Sequence, residues 1–176
     1  MPYLIALVVV LALVCGVNLV FTLGVVRRLR EHTRLLNDER RRPRPNMGDV
    51  PAPFSATTTD GRTVSRESLP APLLIGFFSA GCRPCEEALP EFVRYAAAFP
   101  GGREHVLAVV NGPAEDVEES RERLAATAQV ITELPDGPVQ TAFAVDGTPA
   151  FGIVDGNRVV LTSTRLVADL PDAVPA

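Results

Sequence analysis

The longest apolar run of the chain, Leu4 to Val26, has 23 residues, no charge and one strongly polar member, Asn18. As a helix it is about 35 Å long, enough to cross a hydrocarbon core. It lacks the basic leader and short core of a cleaved signal peptide, so the pattern predicts one N-terminal transmembrane helix. Cys15 and Asn18 within it read as a small apolar thiol and a tolerated amide. Beyond Val26 the apolar positions thin to Leu29, Leu35 and Leu36, and Pro43-Arg44-Pro45 ends any continuing helix and opens a stiff linker.

From Met47 onward the pattern is that of a globular unit. Phe54 to Thr58 and Arg62-Thr63-Val64 flank the turn signal Asp60-Gly61 and predict a small hairpin. Leu73 to Phe78 is an uninterrupted apolar run of strand length, which predicts a buried strand. After the turn Ser79-Ala80-Gly81, apolar residues at Ala88, Leu89, Phe92, Val93 and Ala96 repeat every three or four positions. That spacing predicts a helix from Cys82 to about Phe99, bent at Pro90 and stopped by Pro100-Gly101-Gly102.

Val106 to Val110 predicts a second buried strand, and Ala114 to Ala128 an exposed helix with acids early and arginines late. Val130-Ile131 reads as a short edge strand and Pro138 to Ala144 as a short helix. Ala150–Val154 and Arg158–Thr162 read as a hairpin across Asp155-Gly156-Asn157. Strand–helix–strand followed by a hairpin implies a mixed sheet with helices on both faces. The organisation expected is therefore an anchor (1–26), a basic neck and linker (27–46), an α/β domain (47–165) and a tail (166–176).

Charge sharpens that division. The 176 residues carry a net charge of −4, unevenly placed. Arg27 to Arg44 holds eight arginines against three acids, a net of +5, while the remainder holds nine arginines against eighteen acids, a net of −9. An acidic domain without a basic face argues against nucleic-acid partners. The basic neck is suited to anionic lipid headgroups, and by the positive-inside rule it places the domain in the cytoplasm.

The chemistry lies in Cys82-Arg83-Pro84-Cys85, at the junction of the first buried strand and its helix. Two cysteines three apart on a first helical turn are within disulfide reach. First-turn N–H groups and the helix dipole favour a thiolate on Cys82. Arg83 adds a cation, and Pro84 sits where its missing N–H costs nothing. A purely structural bridge would close almost no loop and add little stability. A zinc site needs four ligands, whereas Cys15, His32 and His105 lie far off in sequence. In a strand–CxxC–helix context the pair reads as a dithiol–disulfide couple.

Five motifs in order now carry a resemblance: Gly48-Asp49 with Pro51 to Phe54, Asp60 to Val64, Phe77 to Cys85, Leu89 to Phe92, and Gly147 to Asn157. They resemble membrane-anchored, thioredoxin-like disulfide reductases of the TlpA/ResA type, within the AhpC/TSA–redoxin superfamily. The tryptophan-free Ser79-Ala80-Gly81-Cys82 is also similar to the MauD type of methylamine-utilisation systems. The resemblance spans about Gly48 to Thr162.

It implies a thioredoxin-like fold in which Cys82 attacks, Cys85 resolves, and Thr148-Pro149 is a cis-proline edge for substrate docking. Gly81, Arg83 and Pro84 would tune the site. It implies protein thiols and disulfides as substrates, an upstream thiol donor (a membrane protein among the candidates), and no cofactor or metal beyond the redox-active disulfide. It also places the domain outside the cytoplasmic membrane, against the arginine rule. Tethering suits a reductase working where disulfides persist, which favours the outer side.

Two departures stand out. Gly81 replaces the usual tryptophan, and Gly76 stands where classical thioredoxins have a buried carboxylate, leaving proton transfer at Cys85 to water or another group. Two other activities stay open at this point. Ser79-x-x-Cys82 superficially matches the hydroxyl–cysteine spacing of thiol peroxidases, although Ile75 replaces their proline. A Cu(I)-binding assembly factor would use the soft sulfurs, although His105 precedes a strand and is poorly placed as a third ligand.

Overall fold

A two-stranded antiparallel hairpin, Ser55–Thr57 (β1) and Thr63–Ser65 (β2), leads the globular unit. The computed structural model describes Gly16, residues 48–156 and residues 160–171. The chain divides into two units, Met1–Arg42 and Pro43–Ala176, and the second holds both sheets and the cysteine pair. Apart from Gly16, the span expected at 4–26 and the basic neck lie outside the described residues. Among the described residues no helix is long and apolar enough to cross a membrane.

Leu73–Ser79 (β3) is the central strand because both its faces find apolar cover, and its first six residues are buried. It pairs in parallel with Val106–Asn111 (β4), which pairs in parallel with Gln129–Glu133 (β5). On its other side β3 pairs antiparallel with Ala150–Val154 (β6), which meets Val160–Thr164 (β7). The order β5-β4-β3-β6-β7 makes the mixed sheet that the strand–helix–strand–hairpin pattern implied.

Alternation along β3 sorts its side chains into two cores. Leu74 and Phe78 point to the face covered by Arg83–Ala97 (α1) and Glu118–Ala125 (α2), where they join Phe92, Leu124 and Phe151. Leu73, Ile75 and Phe77 point to the face covered by the hairpin and by Pro138–Ala142 (α3), joining Phe54, Val139 and Phe143. Each fully buried Leu, Ile or Phe contributes roughly 1.5–3 kcal/mol through removal from water. A carboxylate on β5 caps the short α3: Glu133 accepts the backbone N–H groups of Val139 at 3.1 Å and Gln140 at 2.8 Å.

Three elements differ from the sequence expectation. The exposed helix begins at Glu118 rather than Ala114, because Val117 is buried in the core and Asp116 N–H closes a turn on the Pro113 carbonyl. The last strand lies at Val160–Thr164, two residues later than the hairpin reading, with 157–159 outside the described residues. The segment expected as a tail is, over its described residues 166–171, packed against the domain. Val167 and Leu170 are buried in the α1 core, and the Tyr95 hydroxyl donates to the Pro171 carbonyl at 2.7 Å.

This topology gathers the C-terminal ends of β3, β4, β5 and β7 at one end of the sheet, with the start of β6 among them. Open α/β sheets bind their ligands at that end.

Candidate active site

The chain leaves β3 through a turn in which Gly81 has φ +66°, a left-handed conformation that suits glycine. A Cβ there would meet nothing within 4 Å. Glycine at this point is thus a backbone requirement, and the surface beside it is open. Cys82 then forms the N-cap of α1 with extended backbone, one residue before the first turn, and Pro84 follows inside that turn. The Cys82 carbonyl accepts the N–H groups of Cys85 at 2.9 Å and Glu86 at 3.1 Å. Helix α1 runs through Pro90 without interruption to Ala97.

Cys82 and Cys85 are joined in a disulfide with a Cα–Cα separation of 5.2 Å. The two sulfurs are unequal. Cys85 is 2 % exposed and packs in the core, whereas Cys82 is only partly buried. Arg83 is exposed and binds Glu87 one helical turn on, at 2.9 Å.

Opposite the disulfide lies the loop that opens β6. Its Thr148–Pro149 bond is cis. The Thr148 carbonyl oxygen lies 3.8 Å from Cys82 Sγ. The Thr148 hydroxyl donates to Ser79 Oγ at 2.9 Å and stands 3.9 Å from Cys82 Sγ. The fold therefore brings Thr148, Pro149 and Ser79, well separated in sequence, against the cysteine pair. The Ser79 hydroxyl, which suggested a peroxide-orienting group, is engaged by Thr148.

Gly76 lies on β3 against the α1 residue Phe92, and the carboxylate absent there has no room. A Cβ at 76 would come within 2.7 Å of the Phe92 ring. Phe92 stacks on Phe151 at 5.5 Å and meets Phe78 edge-on at 5.2 Å, so an aromatic trio closes the space.

His105 is remote from the cysteines, its Nδ1 lying 2.7 Å from the Pro72 carbonyl oxygen. Among the described residues no three of His, Cys, Asp and Glu are grouped to hold a metal.

A model of the AhpC/TSA family matches residues 47–163. The chain belongs to the AhpC/TSA family. No curated protein matches it. Among solved structures, this AhpC/TSA chain is similar to a thiol:disulfide interchange protein from Bacteroides sp., at 19% identity and TM-score 0.54, covering 67% of this chain and 80% of that one. It is similar to a secreted Mycobacterium tuberculosis disulfide oxidoreductase homologous to E. coli DsbE, at 20% identity and TM-score 0.54, covering 70% and 87%. It is also similar to MTB DsbF, at 27% identity and TM-score 0.51, covering 64% and 83%. These likenesses show the thioredoxin-like fold. With its Cys82–Cys85 pair, the chain carries the fold and the redox couple of a thiol–disulfide oxidoreductase.

Sequence reasoning missed two parts of this site. Asp146 and Arg165 bracket the Thr148–Pro149 loop, bound at 2.9 Å with the Asp146 side chain only 7 % exposed. Arg165, the last residue of the expected domain, and Leu166, the first of the expected tail, also line a groove close to the cysteine pair. The one signal available was an arginine–leucine pair directly after a strand ending at the active-site edge.

Proposed function

We propose that this protein is a membrane-tethered thiol–disulfide oxidoreductase that exchanges disulfides of other proteins. One observation carries the reading: an oxidised cysteine pair in which Cys82 is accessible and Cys85 is buried. In the reduced form the Cys82 thiolate attacks a substrate disulfide, a mixed disulfide forms, and one substrate thiolate leaves. The Cys85 sulfur then attacks Cys82, the second substrate thiolate leaves, and the pair is oxidised. Two electrons pass to the substrate, and an upstream thiol donor restores the dithiol. Thr148-Pro149 supplies the backbone edge on which the substrate lies, and Gly81, Arg83 and Pro84 shape the approach to Cys82.

Membrane tethering and the TlpA/ResA type rest on the apolar run at 4–26 and on the ordered motifs. We place the domain on the outer side, where disulfides persist. Trapping tests the chemistry: Cys85→Ser in intact cells should accumulate mixed disulfides that disappear in Cys82→Ser. Labelling Cys82 with a membrane-impermeant maleimide, in a Cys15→Ala background after a pulse of reductant, tests the side. Labelling only after lysis would put the domain inside, and absence of any Cys82-dependent adduct would sink the exchange reaction.

A further inference from the structure

A groove of about 450 Å³ runs from Pro84 and Thr148, the neighbours of the cysteine pair, between α1 and the segment that follows β7. Its floor is apolar: Ala88 from the helix, buried Pro149 from the docking loop, and Leu166, which is 62 % exposed. An exposed large aliphatic beside a reactive disulfide suits contact with another polypeptide.

The charges around this groove decide what kind. Of its described lining, Arg165 is the cation, and its guanidinium is taken up by Asp146 at 2.9 Å. Glu87 on the helix wall is paired with Arg83. Glu91, one turn further along the same wall, has no ion-pair partner among the described residues. Within the lining and its ion pairs the two cations are each matched by a carboxylate, so the unbalanced charge there is that of Glu91.

We propose that this groove receives an extended segment of the substrate protein bearing arginine or lysine about four residues from its reactive cysteine. The spacing follows from the helix. Glu91 lies nine residues beyond Cys82, about 13.5 Å along α1 at 1.5 Å per residue. An extended chain covers that distance in about four residues. A basic side chain there meets the Glu91 carboxylate while the apolar floor takes its neighbours.

This inference rests on the exchange reaction proposed above, and the test separates the two. The reduced full chain, Cys15→Ala, in detergent is mixed with three peptides. Each has one cysteine in mixed disulfide with 2-mercaptoethanol and carries Arg, Gln or Glu at the fourth position on both sides. Rates are read by acid quench and mass spectrometry. The arginine peptide should react about tenfold faster than the glutamate peptide at low salt, a ratio that shrinks as salt rises. Glu91→Gln should cut the ratio to about threefold. Equal rates for the three peptides, or a ratio indifferent to Glu91→Gln, overturn the groove assignment while leaving exchange intact. If hydroxyethyl disulfide and every peptide stay oxidised, exchange itself fails and the groove assignment falls with it.

Discussion

The ring of Phe92 occupies the space that a side chain at position 76 would need, with its edge 2.7 Å from where a Cβ would stand. Phe92 is fully buried and held between Phe78 and Phe151, so it cannot swing aside cheaply. Overpacking of this kind costs about 1–3 kcal/mol. Gly76→Ala should therefore lower the unfolding free energy by that amount, read as a lower urea midpoint at unchanged m. Phe92→Leu in the Gly76→Ala background should recover part of the loss, although Phe92→Leu alone is destabilising. Additive losses in the double variant would show that the two positions do not compete for space.

The Asp146–Arg165 bridge restrains the loop from the other side. Arg165 also packs over Gly147, where a Cβ would lie 3.0 Å from its Nη1. Because Arg165 is about half exposed, Arg165→Gln should cost only about 0.2–1 kcal/mol of stability. Its larger effect should fall on docking, with faster amide hydrogen exchange at Gly147 and Thr148 and a raised KM for peptide disulfides. Unchanged exchange at those two amides would show that the loop holds itself.

Glu133 gives the stability a distinctive pH dependence. Its half-buried position raises its pKa from the ordinary 4.5, and the N–H groups of Gln140 and Val139 oppose this only in part. The folded state then holds the proton more tightly than the unfolded state. Glu133's contribution is greatest below pH 4.5 and declines as pH rises from there through the raised folded value. Glu133→Gln should remove that decline. Subtracting the variant's urea-stability profile from the parent's cancels carboxylates such as Asp60, which Thr58 and Arg103 hydrogen bonds shift the opposite way. A flat difference profile would contradict the assignment.

Much of this architecture was legible in the pattern of the chain. The runs Leu73 to Phe78 and Val106 to Val110 could hardly be anything but buried strands, and the cysteine pair at a strand–helix junction named its own chemistry. What the sequence hid depended on contacts between distant segments. Gly76 looked like a missing carboxylate until Phe92, sixteen residues on, was seen filling the place. Arg165 and Leu166 looked like a domain boundary because only the β6–β7 pairing brings them to the active-site edge. Helix α2 was overestimated because Val117 is needed in the core, which propensity does not register.

The hydroxyl of Thr148 supplies the last prediction. It sits 3.9 Å from Cys82 Sγ and 2.9 Å from Ser79 Oγ. On reduction the sulfur becomes a charged acceptor, and Thr148 can turn its proton to the thiolate while Ser79 donates to Thr148 in its place. A hydrogen bond to a charged group is worth about 1.5–3 kcal/mol. Each pKa unit corresponds to about 1.36 kcal/mol, so Thr148→Val should raise the Cys82 pKa by about one unit or more. Ser79→Ala should move it in the same direction by less, since it removes only the supporting donor. The pH dependence of Cys82 alkylation in the reduced Cys15→Ala chain measures both shifts, and buried Cys85 should be modified far more slowly throughout. An alkylation midpoint unmoved in Thr148→Val would leave the helix N-terminus as the chief support of the thiolate.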